Sequence, residues 1–364
     1  MSTLVDVLAT AALRWSDPDH PARVRAVKAT LEMDNRFTEE AIIFAVNQQM
    51  SLLTPEALER WQKKLAGVAT GAEHHSAQRV VGVLNPGNIP MVELQDLVAV
   101  LLAGFAWRGT VSSRSSALLP AFLDELRTVA DGRVPVDAQV TTLQEVLDEA
   151  WGLMASGSDD TLAEVTSLAL EAGIPASRQW MRGHRFSIAI LDGGEDEEER
   201  LDLAEDALLH EGQGCRSAAL IFATATQGPD EILDAFATFR GTFPAHPATS
   251  GSLKMQQAFL EALDAPHAWA DGMAFLISRG EAELQQPGHI RWVPYESPDI
   301  VTAWVGEHRN ALQAVYTRRE RAGVWSERLS VVVEPLGTAQ RPELDWNPDG
   351  RSHADFFNNL LGRV

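Results

Sequence analysis

The residue with the clearest chemical potential is a cysteine, because the chain contains only one. Cys215 lies in Leu208-Leu-His-Glu-Gly-Gln-Gly-Cys-Arg-Ser217. Gly212 and Gly214 permit tight backbone bends and the close approach of a substrate. Arg216 places beside the sulfur a cation that favours the nucleophilic thiolate. A lone cysteine is also a common small buried side chain, so the residues alone leave both interpretations open.

A cysteine nucleophile usually needs a base, and two histidines are candidates for that role. We expect the helix that precedes Cys215 to continue through His210, and His184 stands at the end of an earlier segment. The sequence alone places neither imidazole beside the sulfur. No helical His-Glu-x-x-His occurs, and the pair His74-His75 has no companion ligands, so we predict no metal site.

Two glycine-containing turns could bind the phosphates of a nucleotide. Ser156-Gly157-Ser158-Asp159 lies between a predicted strand and a predicted helix, where backbone N–H groups can hold a phosphate. Ser and Asp are also good N-caps, so a capping turn is an equal alternative. Gly212-Gln-Gly214 lacks the third glycine of a dinucleotide fingerprint, since Ser217 stands there. We interpret the acidic run 192–200 as a solvated loop that enters a helix.

The elements that would position these residues alternate between strands and helices. Residues 1–76 are predicted to be mostly helical, because apolar residues recur there at helical spacing. The alternation that follows is typical of βαβ units and predicts an α/β fold with parallel sheets, divided near residues 180–186. The predicted strands are 79–84, 108–112, 151–155, 186–191 and 331–333, and the helices are 90–104, 118–129 and 161–172.

Charge and composition exclude several classes of function. The 51 Asp and Glu residues outnumber the 30 Lys and Arg residues, and the resulting net charge of −21 repels nucleic acids and anionic membrane surfaces. A single cysteine excludes an intrachain disulfide. The N-terminus lacks a basic signal region, and the most apolar stretch, residues 97–107, is too short to span a bilayer. We therefore expect a soluble cytoplasmic protein.

Five short segments form an ordered series of motifs. They are Asn88-Ile-Pro90, Ser113-Arg114-Ser-Ser116, Ser156-Gly157-Ser158, Gly212-Gln213-Gly-Cys215 and Pro342-Glu-Leu-Asp-Trp346-Asn-Pro-Asp-Gly350. The first four, in this order and spacing, resemble the aldehyde dehydrogenase superfamily. The last resembles the tail of its acyl-CoA reductase branch, the LuxC-type fatty-acyl reductases of bacterial bioluminescence.

This resemblance implies an aldehyde-dehydrogenase-like fold with two Rossmann-like α/β domains on parallel sheets. Residues 1–183 would form the nucleotide-binding domain and residues 184–340 the catalytic domain. Residues 341–364 would be a tail that returns to the first domain. The resemblance also implies a homo-oligomer.

The resemblance further assigns roles to individual residues. Cys215 would be the nucleophile, Gln213 belongs to its motif, and the Asn88 side chain would help to form the oxyanion hole. The residues implied at the cofactor are Ser113, Arg114, Ser156, Gly157 and Ser158. The implied reaction is reduction of an acyl-CoA or acyl-carrier thioester to the aldehyde through a thioester on Cys215. Arg114 favours NADPH over NADH.

Three departures from the family pattern affect this interpretation. Ser113 replaces the family's lysine at the nucleotide, and the chain is shorter than typical relatives. Met181-Arg-Gly-His184 stands where ordinary aldehyde dehydrogenases carry a general-base glutamate. Hydrolysis of the thioester needs a base that activates water, whereas reduction does not, so Met181 favours the reductive direction.

Two rival functions stay open at this point. The chain could be an aldehyde dehydrogenase that acts oxidatively, with His184 or Glu211 as its base. It could also be a scaffold that has kept the fold and lost catalysis.

The anionic character of CoA, acyl carriers and NADPH adds one electrostatic expectation. A cleft that binds them in so acidic a chain needs local positive potential. We expect Arg114, Arg182, Arg185 and Arg216 to line it, since they lie close in sequence to the motifs.

Overall fold

Two sheets organise the chain in a computed structural model that describes residues 3–69 and 79–362. The pair His74-His75 lies outside the described residues. The helices are α1 (Leu4–Trp15), α2 (Pro21–Leu31), α3 (Glu39–Leu52), α4 (Pro55–Ala69), α5 (Leu94–Leu102), α6 (Leu118–Ala130), α7 (Leu143–Glu149), α8 (Asp159–Glu171), α9 (Glu197–Leu208), α10 (Asp230–Thr242), α11 (Pro247–Ala262), α12 (Pro298–His308), α13 (Arg319–Arg328) and α14 (His353–Leu360). The strands are β1 (Val80–Leu84), β2 (Ala106–Thr110), β3 (Ala138–Val140), β4 (Gly152–Ser156), β5 (Gln179–Arg182), β6 (Phe186–Leu191), β7 (Ala218–Thr224), β8 (His267–Trp269), β9 (Leu276–Arg279), β10 (His289–Tyr295), β11 (Leu312–Thr317) and β12 (Val333–Pro335).

The first of two structural units holds a five-stranded sheet. Its described residues are 3–35, 42–69, 79–184 and 343–362. The strand order is β3-β2-β1-β4-β5, and every neighbouring pair is parallel. A parallel sheet needs apolar residues on both faces because helices cover both of them. Leu84, Leu153 and Ala155 accordingly lie in a buried cluster with residues of α7 and α8.

The second unit, residues 36–41 and 185–342, holds a seven-stranded sheet. Its order is β12-β11-β6-β7-β10-β9-β8, and only the β8–β9 pair is antiparallel. The core on one face packs Ile188, Phe222 and Val315 against Trp325 of α13. The predicted α/β class with parallel sheets is therefore confirmed, and β8 is a local departure at one edge.

The segment that follows β1 differs from its sequence prediction. The sequence predicts a helix from Pro90, whereas α5 begins at Leu94. Met91 has a φ of 62°, in the left-handed region, and it is fully buried. Because a left-handed residue cannot continue a right-handed helix, residues 90–93 form a turn.

Three elements of the first unit carry no sequence signal strong enough to predict them. They are β3, α7 and β5. β3 is three residues long, and β5 contains two polar residues, Gln179 and Arg182. Such short or mixed segments lack the apolar periodicity on which strand prediction depends.

Hydrogen bonds hold the C-terminal segment against α5. The Gln95 side-chain amide donates to the carbonyl oxygens of Leu344 at 3.0 Å and Trp346 at 2.9 Å. Both acceptors belong to the tail motif that singles out the reductase branch. The motif is thus bound to the helix that follows the Asn88 loop.

A buried carboxylate on the same helix joins three parts of the first unit. Asp96 forms a bidentate ion pair with Arg182 of β5, and one of its oxygens lies 2.8 Å from Nε2 of His353 in α14. Trp61 and Trp180 approach the His353 ring edge-on. Burial opposes the charge on Asp96, but Arg182 and His353 hold its pKa well below its usual range.

None of the helices within the described residues is long and apolar enough to cross a membrane.

Replacement of Asp96 by asparagine tests this network. Asp96→Asn leaves Arg182 buried without a counter-charge, so we expect the free energy of unfolding in urea to fall by about 3–5 kcal/mol at pH 7. Because the folded-state pKa of Asp96 is depressed, its contribution is complete at neutral pH and lost in acid, so the two proteins converge as the pH falls. Asp124→Asn is the control, since that side chain is 75% exposed in an ion pair with Arg127. A loss no larger than in the control would contradict this account.

Candidate active site

Cys215 follows a stretch of left-handed backbone. The helix α9 ends at Leu208 and does not continue through His210 as the sequence predicts, because His210, Glu211 and Gly212 have φ values of 53°, 59° and 68°. Each non-glycine residue in this region costs about 1–2 kcal/mol. Such strain persists only where the surroundings enforce it, and it is concentrated at functional sites.

The backbone at Gly212 requires glycine. A Cβ atom there would lie 3.0 Å from the carbonyl oxygen of Ala207, and its positive φ disfavours any other residue. The Gln213 N–H donates to the His210 carbonyl at 3.1 Å, which closes the turn. Cys215 follows two residues later and is half-buried.

The two candidate bases before Cys215 are buried. Burial lowers the pKa of His210 to about 4, so its imidazole is neutral at physiological pH. Glu211 forms an ion pair with Arg240 at 3.3 Å and accepts the His246 backbone N–H at 3.3 Å. Glu211 thus stabilises the turn. The third candidate, His184, lies exposed in the first unit.

Arg216 is held rigidly beside the thiol. Its Nε donates to the Ala339 carbonyl at 2.8 Å and its Nη2 to the Thr338 carbonyl at 3.0 Å, and it is paired with Glu334. Burial opposes its charge, but Tyr316, Glu334 and Cys215 together raise its pKa. The attraction between Arg216 and Cys215 is reciprocal, so the guanidinium favours the thiolate.

A buried serine orients the peptide group that follows the thiol. Ser187 Oγ donates to the Cys215 carbonyl at 3.0 Å and accepts the Ala314 N–H at 3.2 Å. It therefore links the cysteine to β11.

The proposed cofactor residues all lie at one edge of the first sheet. Strand order reverses at β1, between β2 and β4, and nucleotides bind parallel sheets outside the carboxyl ends of the strands at such a reversal. Asn88 follows β1, and Ser113-Arg114 follows β2 in an exposed turn. Ser156-Gly157-Ser158 ends β4 and precedes α8. The position of these turns thus fits a dinucleotide, and Asn88 belongs to the motif that the family resemblance assigns to the oxyanion hole.

The loops after β1 and β2 meet at a glycine. A Cβ atom on Gly87 would lie 2.0 Å from Ser112 Oγ, so a larger residue there would force the loops apart. This contact places Asn88 next to the turn that carries Ser113 and Arg114.

The turn at Ser156-Gly157-Ser158 caps α8. Ser158 Oγ accepts the Thr161 N–H at 3.3 Å, which confirms the capping alternative. The Gly157 N–H donates to the Arg182 carbonyl at 3.2 Å. A phosphate at this turn would face the positive end of the α8 dipole, but the carboxylates of Asp159 and Asp160 in the first turn of that helix would oppose it.

The expectation that four arginines line an anionic cleft is wrong for two of them. Arg182 is buried in its ion pair with Asp96, and Arg216 is buried against Glu334 and loop carbonyls. Partners far away in the sequence, which no local pattern reveals, hold both side chains inside the fold. Arg114 is exposed at the sheet edge, and Arg185 is half-buried before β6.

Sequence reasoning misses three buried polar residues. They are Glu93 in the first unit and Ser187 and Asp206 in the second. Within the described residues, neither carboxylate oxygen of Glu93 has a hydrogen-bond partner in another residue. Burial raises the pKa of Glu93 to about 7 against the effect of its own backbone N–H, and the charge of Asp96 adds to the rise. No signal in the sequence distinguishes these residues from exposed ones.

Within residues 3–69 and 79–362, no group of three or more His, Cys, Asp or Glu side chains is arranged to hold a metal ion.

The sequence matches one protein-family model, described as acyl-CoA reductase (LuxC), over residues 1–239. No curated protein matches the sequence.

Several solved structures share the fold. An oxidoreductase from Marinobacter aquaeolei is 14% identical, with a TM-score of 0.71 over 97% of this chain and 83% of that one. A putative aldehyde dehydrogenase from Burkholderia cenocepacia is 14% identical, with a TM-score of 0.67 over 98% and 85%. A glyceraldehyde-3-phosphate dehydrogenase from Methanocaldococcus jannaschii, complexed with NADP, is 13% identical, with a TM-score of 0.65 over 92% and 81%. At these identities the likeness concerns the fold, which is that of the aldehyde dehydrogenases.

Glu93 gives the first unit a pH dependence of unusual sign. Because its folded-state pKa is raised, Glu93 lowers stability as the pH rises from about 4 through 7. At pH 8.5 we expect the free energy of unfolding of Glu93→Gln in urea to exceed that of the parent by about 3 kcal/mol, and we expect most of this advantage to be lost near pH 5. Glu164→Gln, at an exposed position, should change little at either pH. Parallel pH profiles for Glu93→Gln and the parent would contradict the assignment.

Proposed function

The chain belongs to the acyl-CoA reductase (LuxC) family and is an oxidoreductase of the aldehyde dehydrogenase type, and from this premise we propose that it reduces an acyl thioester to the aldehyde. The acyl group would arrive on CoA or an acyl carrier and pass through a thioester on Cys215. The observation that carries the proposal is the setting of that thiol, which is half-buried beside a fixed guanidinium after a strained turn.

Acyl transfer begins at the thiolate. Cys215 Sγ attacks the thioester carbonyl carbon, a new carbon–sulfur bond forms, and the bond to the carrier sulfur breaks. The departing carrier thiolate takes up a proton, which balances the one that the Cys215 thiol gives up. Arg216 supports this step, since it stabilises the thiolate.

The oxyanion formed in that attack needs hydrogen-bond donors. The proposed donors are the Asn88 side-chain amide, by family resemblance, and the Cys215 backbone N–H. One such donor contributes about 3–4 kcal/mol to transition-state stabilisation. Ser187 holds the peptide group after Cys215 in place, and Gln213 lies in the turn that leads to it.

Two positions considered for a general base argue against hydrolysis. Met181 has no carboxylate and packs against the apolar core of the first unit, and the Glu211 carboxylate is buried in an ion pair with Arg240. This favours reduction over the oxidative alternative, which would need the exposed His184 as its base.

A reduced nicotinamide dinucleotide, when bound, would supply the hydride that reduces the acyl carbon. The carbon–sulfur bond to Cys215 would then break, which releases the aldehyde and restores the thiolate. The residues proposed to hold the dinucleotide are Ser113, Arg114, Ser156, Gly157 and Ser158. Arg114, exposed at the end of β2, would pair with a ribose phosphate and so favours NADPH over NADH. We also propose, by family resemblance, that the chain forms a homo-oligomer.

Removal of the thiol tests the function. We expect the purified protein to oxidise NADPH only when an acyl-CoA is added, and Cys215→Ala to lower kcat by at least about 10³, because the covalent path is lost. Asn88→Ala should lower kcat by about 10²–10³. Ser187→Ala removes the hydrogen bond to the Cys215 carbonyl but keeps the Cys215 thiol and the Asn88 amide. It should therefore lower kcat by less than either of the other two substitutions.

Three results would contradict the proposal. Full activity in Cys215→Ala would exclude the covalent path. Acid formation from an aldehyde without CoA would favour the oxidative dehydrogenase. Nucleotide binding without turnover in either direction would favour the scaffold.

A further inference from the structure

A buried carboxylate in the second unit anchors a loop by its backbone. Asp206, in α9, is fully buried. One of its oxygens accepts the Gly337 N–H at 2.8 Å and the other accepts the Ala339 N–H at 2.9 Å. Both oxygens are therefore committed to residues 336–340, which we name the buttress loop.

The buttress loop in turn holds the neighbour of the nucleophile. The Thr338 and Ala339 carbonyls accept two hydrogen bonds from Arg216. Gln340 Nε2 donates to Ser217 Oγ at 3.0 Å, so the loop contacts both residues that follow Cys215. The same amide lies 3.3 Å from the Asp206 carbonyl oxygen.

We propose that Asp206 is a positioning residue for the nucleophile. Its carboxylate fixes the buttress loop, the loop carbonyls fix the Arg216 guanidinium, and the guanidinium sets the reactivity of Cys215. The inference rests on the proposed function in that it takes Cys215 as the nucleophile.

The ionised form of Asp206 fits this geometry, since a protonated carboxyl would lose one of the two acceptors. Burial raises the pKa of Asp206 to about 8 against the effect of the two N–H groups, and the charges of Glu205 and Asp202 add to the rise. Arg341 and Tyr316 also face it electrostatically. Asp206 therefore accepts both hydrogen bonds, from Gly337 and Ala339, once the pH has risen through about 8.

The rate of Cys215 alkylation by iodoacetamide, measured from pH 6 to 10 on the full chain, tests the proposal. Cys215 is the only cysteine, so the label reports one site. In Asp206→Ala we expect the profile to shift to higher pH by about one unit, which is about tenfold slower alkylation well below the thiol pKa. Asp206→Asn should follow the parent in acid and lag above pH 8, because it resembles the protonated carboxyl.

Glu198→Ala is the control. It removes an exposed carboxylate from the same helix, and loss of a negative charge alone would shift the profile to lower pH. An unchanged profile in Asp206→Ala would overturn the proposal. Gln340→Met loosens the same loop without uncovering a charge, and it should shift the profile in the same direction by less. If Asp206→Ala does not fold, Asp206→Asn and Gln340→Met decide between the outcomes.

This readout separates the two hypotheses. Alkylation needs neither acyl thioester nor nucleotide, so the profile of Asp206→Ala tests the positioning role alone. Failure of the proposed function would appear instead as a parent protein that does not oxidise NADPH when an acyl-CoA is added.

Discussion

Cys215 is presented by a stretch of backbone that L-amino acids avoid, and polar contacts in the second unit hold it there. Residues 210–212 lie in the left-handed region, at a cost of about 1–2 kcal/mol for each non-glycine residue. Arg240 restrains the turn before the thiol, and Ser187 and Arg216 restrain the backbone after it. If Cys215 is the nucleophile that we propose, a thiol fixed in this way would need little reorganisation when it reacts.

In so acidic a chain, the binding of an anionic ligand depends on which arginine side chains are available to it. The net charge is −21, and burial commits Arg182 and Arg216 to carboxylates and carbonyls of the fold. Arg216 thereby acts on the thiol and not on a substrate phosphate. Positive potential for a nucleotide would come from Arg114 and from the amino end of α8, both at the carboxyl edge of the first sheet. Recognition of anions would thus depend on a few oriented groups.

Strands and helices that depend on local sequence pattern could be predicted from the sequence. Contacts between residues far apart in the chain could not. Apolar runs predict strands such as β1 and β6, and their alternation with helices predicts the parallel α/β architecture, which is confirmed. The helix predicted from Pro90 is wrong because Met91 is left-handed, a choice that tertiary packing imposes. The roles of Asp96 and Asp206 depend on partners 86 and 133 residues away, so they resemble surface carboxylates in the sequence. The roles of the site residues stay predictions.

The acyl group is proposed to form a thioester with Cys215 Sγ, and mass spectrometry of the intact chain tests this directly. Incubation with an acyl-CoA and no reductant should add the mass of one acyl group and release one equivalent of free CoA thiol. Hydroxylamine should remove the added mass, since it cleaves thioesters. The adduct should map to the peptide that contains Cys215 and be absent in Cys215→Ala. An adduct that persists in that variant, or release of CoA without any adduct while the acid accumulates, would contradict the account.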